Sequence, residues 1–110
     1  MSLTLYGLKN CDTCKKAMKA LEGAGQAVTF VDIRADADLP ALLPRWLAEA
    51  GADLLINRRS TTWRNLSEAD RERDALDLLS QNPTLIKRPV IERGNAVHVG
   101  WAKDVQGLLL

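Results

Sequence analysis

The stretch from residue 3 to residue 33 constrains this chain more than any other. "LTLYG" (3–7) is short, β-capable and ends at a glycine. After it, Cys14, Ala17, Met18 and Leu21 recur at helical spacing until Gly23 and Gly25 stop the helix. "AVTFVDI" (27–33) is apolar almost throughout and rich in β-branched residues, which reads as a strand buried on both faces, as parallel strands usually are. Strand, helix and strand within about thirty residues make a βαβ unit.

The remainder alternates helical and strand patterns. In "ADADLPALLPRWLAEAGADLLI", Leu39, Leu42, Leu43, Trp46, Leu47 and Ala50 form one apolar stripe, and Gly51 ends it. "NRRSTTWRNLSEADRERD" is polar and reads as a loop with helical turns, its acidic run a solvated face. "DALDLLSQNP" reads as a helix stopped by Asn82-Pro83. Strands at about 90–93 and 96–99 flank Gly94-Asn95, a two-residue hairpin turn. The final segment places Trp101, Val105, Leu108 and Leu109 on one helical face. The order is β-α-β, a helical insertion at about 38–82, then β-β-α. That is an α/β, thioredoxin-like arrangement: a mixed four-stranded sheet with helices on both faces, in a single domain spanning residues 1–110.

Composition excludes several function classes. A chain of 110 residues suits one domain with a self-sufficient core. The formal charge of +1 sets up no strong field for nucleic acid, although Arg58-Arg59 and Lys87-Arg88 form local basic pairs. The N-terminus lacks the pattern of a signal peptide, and no apolar run reaches the ~18 residues of a membrane span, so a cytoplasmic protein is expected. In a reducing compartment, a C-x-x-C pair points to redox or metal chemistry rather than to a structural staple.

The two cysteines, Cys11 and Cys14, read differently. A structural zinc needs about four ligands, and the chain offers two cysteines and one distant histidine, His98. No metal site is therefore expected, and His98 reads as an exposed strand residue. Cys14 lies on the apolar stripe and fits either a packed residue or a resolving thiol. Cys11 follows a strand, a glycine and Asn10, which is placed to cap the helix. It therefore stands at a helix mouth, where free backbone N–H groups and the dipole favour a thiolate. Lys9, Lys15 and Lys16 add positive charge in sequence. A thiolate is the nucleophile of disulfide exchange. A second clue is "LIKRP": a proline that opens a strand can adopt a cis bond close to a ligand, and Arg88 before Pro89 would aim a guanidinium at a bidentate anion. Trp46 and Trp101 read as core, and Trp63, in its polar loop, as lining a cleft.

The blocks "NCDTCKKA", "NRRSTTWRNL" and "NPTLIKRPVI" resemble, in order and over essentially the whole chain, the arsenate reductase-like (ArsC/Spx/YffB) family of the thioredoxin superfamily, and the flanking residues resemble its YffB-type branch most. The resemblance implies a catalytic Cys11 and an anion pocket lined by Arg88, beside a cis Pro89, and by Arg59, with Arg58 adjacent. Asn10 and Lys15 fall beside the cysteines as expected substrate or glutathione contacts. Two family features are missing: an arginine after the hairpin, where "VHVGWAKD" has none, and a histidine shortly before Cys11.

The expected activity is a thiol-dependent, glutathione-dependent reductase. Cys11 attacks a disulfide or another oxidised substrate, with Cys14 or glutathione resolving the product. No tightly bound cofactor is expected; glutathione enters as co-substrate, and the protein is expected to act as a monomer on a small oxidised or anionic substrate. The alternative is an Spx-like regulator with a Cys11–Cys14 disulfide switch, contacting RNA polymerase through a surface near Gly51. Arsenate reduction ranks third. Direct nucleic-acid or membrane contact is not expected.

Overall fold

A computed structural model describes residues 2–110. The chain divides into two compact units, one formed by the residues up to Ala37 together with Arg88–Leu110, the other by Asp38–Lys87.

The first unit is a four-stranded mixed sheet. Strands β1 (Ser2–Gly7), β2 (Ala27–Asp32), β3 (Val90–Arg93) and β4 (Ala96–Val99) lie in the order β2-β1-β3-β4. β1 and β2 run parallel, with Leu3 opposite Val28 and Leu5 opposite Phe30. The crossover between them is helix α1 (Asp12–Gly23), which completes the βαβ unit. β3 is antiparallel to both β1 and β4. The β3–β4 hairpin turns at Gly94-Asn95 as its turn chemistry demands, with Gly94 at φ +60°. Because strand side chains alternate, Leu3, Leu5 and Ile91 share one face of the sheet. Cys14, Ala17 and Leu21 of α1, with Val105 and Leu109 of the C-terminal helix α7 (Lys103–Leu109), close that face into one apolar cluster.

Three positions differ from the sequence expectation. β2 is an edge strand with no fully buried residue, rather than a strand enclosed on both faces; Val28 and Phe30 pack against the cluster only in part. Leu108 is 64% exposed, because the last helix begins at Lys103 and turns that position to solvent. Trp101 precedes α7 and is half-buried against the cluster rather than inside it.

The second unit is helical. Helix α2 (Leu39–Ala50) buries Leu39, Leu43 and Trp46 and stops at Gly51, which adopts φ +84°. Short helices α3 (Ala52–Leu55), α4 (Thr61–Arg64) and α5 (Glu68–Arg71) follow, then α6 (Ala75–Gln81) and a single 3-10 turn at Pro83–Leu85. Ser60 and Ser67 cap α4 and α5 by accepting from the N–H groups of Trp63 and Asp70. Ile56 and Ile86 form an antiparallel bridge that ties the start of the unit to its end, supported by Asn57 N–H to Leu85 O and Lys87 N–H to Leu55 O, both 2.8 Å. No helix among the described residues is long and apolar enough to cross a membrane.

Candidate active site

The site is built where β1 gives way to α1. Cys11 occupies the N-cap position itself, with extended backbone at φ −94° and ψ 116°. Asn10, expected as the cap, lies one residue outside the helix and is exposed. Cys11 O accepts the first helical bond from Lys15 N–H at 3.0 Å, and Cys11 N–H donates to Leu8 O at 3.2 Å. The Cys11 thiol is free and half-buried, so it can meet both solvent and the helix mouth.

Burial alone would raise the Cys11 pKa, but the balance runs the other way. The Cys14 backbone N–H and thiol both face the Cys11 sulfur, and the Arg88 guanidinium approaches it with a hydrogen bond and a full positive charge. Together they lower the thiol below its ordinary value. By strict geometry Cys11 makes no side-chain cap hydrogen bond, so the Cys14 N–H faces the sulfur without closing a full cap. The cation acting on the sulfur is thus Arg88, at the head of the strand next to β1, rather than the neighbouring lysines.

Arg88 and Pro89 open β3, and the bond joining them is cis. The Arg88 Nε is shut off from solvent, which fixes the guanidinium stem in the protein. Pro89 is buried, and its carbonyl accepts from Gly100 N–H at 2.8 Å.

Cys14 is 1% exposed, one turn into α1. Burial, then the hydrogen bond and charge of Cys11, push its thiol up to about 12, so Cys14 stays protonated and can serve Cys11 as an S–H donor. Its sulfur packs on Gly7, where a side chain would collide: a Cβ there would stand 2.5 Å from the Cys14 Sγ. The sequence shows a glycine ending a strand, but not that a sulfur fills the space left by its missing side chain.

Lys15 faces an apolar groove between α1 and β2. Arg59 belongs to the second unit. Its backbone N–H donates to Asn57 Oδ1 at 3.1 Å, and its side chain is exposed. Arg58 is committed elsewhere. It pairs with Asp53 at 3.2 Å and lies over the Trp63 ring, 5.4 Å from the centroid. Arg71 also lies over that ring at 5.1 Å and donates to Trp63 O. Trp63, expected to line a cleft, is therefore covered by guanidinium groups. Of the two adjacent arginines, Arg59 is the one whose side chain is left available.

A sheet of this order with a cis proline at the head of β3 and a cysteine at the N-cap position of α1 defines a thioredoxin-like thiol protein. The ArsC family pattern matches residues 6–106, and the chain belongs to the ArsC family. An uncharacterised protein of Haemophilus influenzae is 42% identical over 103 residues, covering 90% of each chain. A solved structure described as the YffB protein superposes with a TM-score of 0.87 at 38% identity, covering 98% of both chains. The global transcriptional regulator Spx of Staphylococcus saprophyticus is 27% identical over 109 residues, covering 93% of this chain and 82% of the other.

Proposed function

We propose that the protein is a glutathione-dependent thiol oxidoreductase with Cys11 as its nucleophile. The observation that carries the reading is the setting of the Cys11 sulfur, at the mouth of α1 and beside Arg88, which favours the thiolate. The thiolate attacks one sulfur of a substrate disulfide. A Cys11–substrate S–S bond forms, the old S–S bond breaks, and the departing thiolate takes up a proton. Glutathione, as thiolate, then attacks the substrate sulfur of that mixed disulfide; the bond to the Cys11 sulfur breaks, a glutathione–substrate disulfide leaves and the Cys11 thiolate is restored. Cys14 donates its S–H to the Cys11 thiolate and stabilises it between turnovers; its burial and high pKa disfavour it as the attacking thiol.

Arg88 holds an anionic group of substrate or glutathione, and Asn10 and Lys15 flank the approach from the helix mouth. Arg59 is proposed as an anion ligand by family resemblance, supported by its uncommitted side chain. Arsenate reduction is disfavoured by the missing histidine before Cys11 and the missing arginine after the hairpin. The test is glutathione-linked reduction of a mixed disulfide. Wild type should turn over and Cys11→Ser should be inactive; equal inactivity of both across such substrates would reject the reading.

The closeness of the two cysteines favours one second reading, an Spx-like redox switch in which a Cys11–Cys14 disulfide controls binding to RNA polymerase. Polymerase captured from lysate in only one redox state would support it, and redox-independent absence would eliminate it.

A further inference from the structure

β2 is a six-residue edge strand whose outer backbone bonds to no other described strand. Natural edges are usually blunted by lysine, proline, a bulge or a short length. "AVTFVD" carries none of these, and only Asp32, at its end, is charged. The opposite edge, β4, is shorter at four residues. An open edge of this kind offers a ready template for another extended chain.

Beside this edge runs the groove of about 400 Å³ between β2 and α1, a volume within the usual range of binding clefts. Leu8, Cys14, Met18 and Phe30 form an apolar lining, and Lys9 adds a positive charge from the loop after β1. Lys15 and Lys19 stand along the helical side with Glu22. Among the described residues neither lysine is held in an ion pair. Lys15 and Lys19 are like charges one turn apart on the helix, an arrangement that is mildly unfavourable until an anion joins it.

The spacing also fits a strand. Four helical residues rise ~6 Å, and alternate residues of an extended chain are ~6.8 Å apart on one face. Two carboxylates in an acid-x-acid pattern therefore match Lys15 and Lys19. A second copy of this chain fits less well: two-fold pairing of β2 with β2 would bring both lysine-lined helices to the same face of the junction, where like charges oppose each other.

We propose that the groove between α1 and β2 docks an extended acidic peptide segment, which joins the sheet beside β2 and places alternate carboxylates against Lys15 and Lys19. Backbone pairing supplies affinity and the lysines supply selectivity. The groove lies on the helix side of the sheet and shares Cys14 and Lys15 with the edge of the thiol site, but docking itself involves no thiol chemistry.

The probe is a fluorescent peptide Thr-Glu-Thr-Glu-Thr-Val-Thr, compared with the same peptide carrying lysine for both glutamates. Saturable one-to-one binding is expected by anisotropy, weakened by about tenfold or more both by the lysine peptide and by the Lys15→Glu/Lys19→Glu protein. Both lysines are exposed, so the doubly reversed protein should keep its thermal midpoint. Backbone amide shifts on binding should map to Ala27–Asp32 and α1. The proposal is overturned by non-saturating binding, by equal affinity for the two peptides, by an unaffected charge-reversed protein, or by shifts centred elsewhere. Sedimentation showing self-association through β2 without peptide would overturn it in favour of a second copy.

Discussion

Gly7 and Cys14 are packed backbone against sulfur. The Cys14 Sγ occupies the space where a Gly7 side chain would stand, and a Cβ there would lie 2.5 Å from the Sγ and 3.2 Å from the Cys14 Cβ. The end of β1 and the first turn of α1 thus fix one another, and with them the sulfur that faces Cys11.

Gly7→Ala should therefore act as overpacking, destabilising by about 1–3 kcal/mol. Urea unfolding under reducing conditions measures it. Gly7→Ala/Cys14→Ala should recover much of the loss, since removing the sulfur removes the closest clash. Strictly additive losses would show that the contact is not the cause.

Cys14 should give alkaline pH its effect on stability. Folded, its thiol holds its proton up to about 12; unfolded, a cysteine ionises near ~8.5. Between those values the unfolded chain binds fewer protons, so stability falls as pH rises. Cys11 acts in the opposite sense. Its lowered pKa means a contribution that is complete above the unfolded value and is lost as pH falls through the folded one. Above about pH 9, wild type should thus lose stability with a steeper slope than Cys14→Ala. Parallel slopes in reducing urea titrations would contradict the assignment.

In the helical unit, Arg71 and Arg58 should differ despite sharing Trp63. Arg71 donates to Trp63 O at 3.2 and 3.1 Å and to Arg64 O at 3.3 Å, which ties α5 to α4. Arg71→Ala should cost about 1–2 kcal/mol. Arg58 pairs with an Asp53 side chain that is 98% exposed, so Arg58→Ala should cost under about 0.5 kcal/mol. Urea unfolding of both variants checks the order, and an equal or inverted cost would refute it.

These contacts also mark what the sequence could reveal. The hairpin at Gly94-Asn95 and the buried stripe of α2 were legible because local turn chemistry and helical period decide them. The βαβ unit and the cysteine at a helix mouth were legible for the same reason. The burial of β2 was misread because an apolar run records propensity, whereas an edge position depends on which strand lies next to it. Asn10 has the better chemistry for a cap, yet the helix begins one residue later and Cys11 takes the position. The "RP" pair marks Arg88, but its charge on Cys11 joins residues far apart in the chain through adjacent strands, a partnership with no sequence period, whereas Lys9, Lys15 and Lys16 are near only in sequence. The Gly7–Cys14 packing and the arginines over Trp63 likewise arise only in three dimensions.

The central claim is that Cys11 is an activated thiolate and that Arg88 helps to make it so. The direct measurement is the rate of Cys11 alkylation against pH, read by mass spectrometry in wild type and Arg88→Ala. An apparent pKa below the ~8.5 of a free thiol in wild type, moving upward in Arg88→Ala, is the predicted result. A wild-type value at or above that of free cysteine, unchanged by the loss of Arg88, would contradict it.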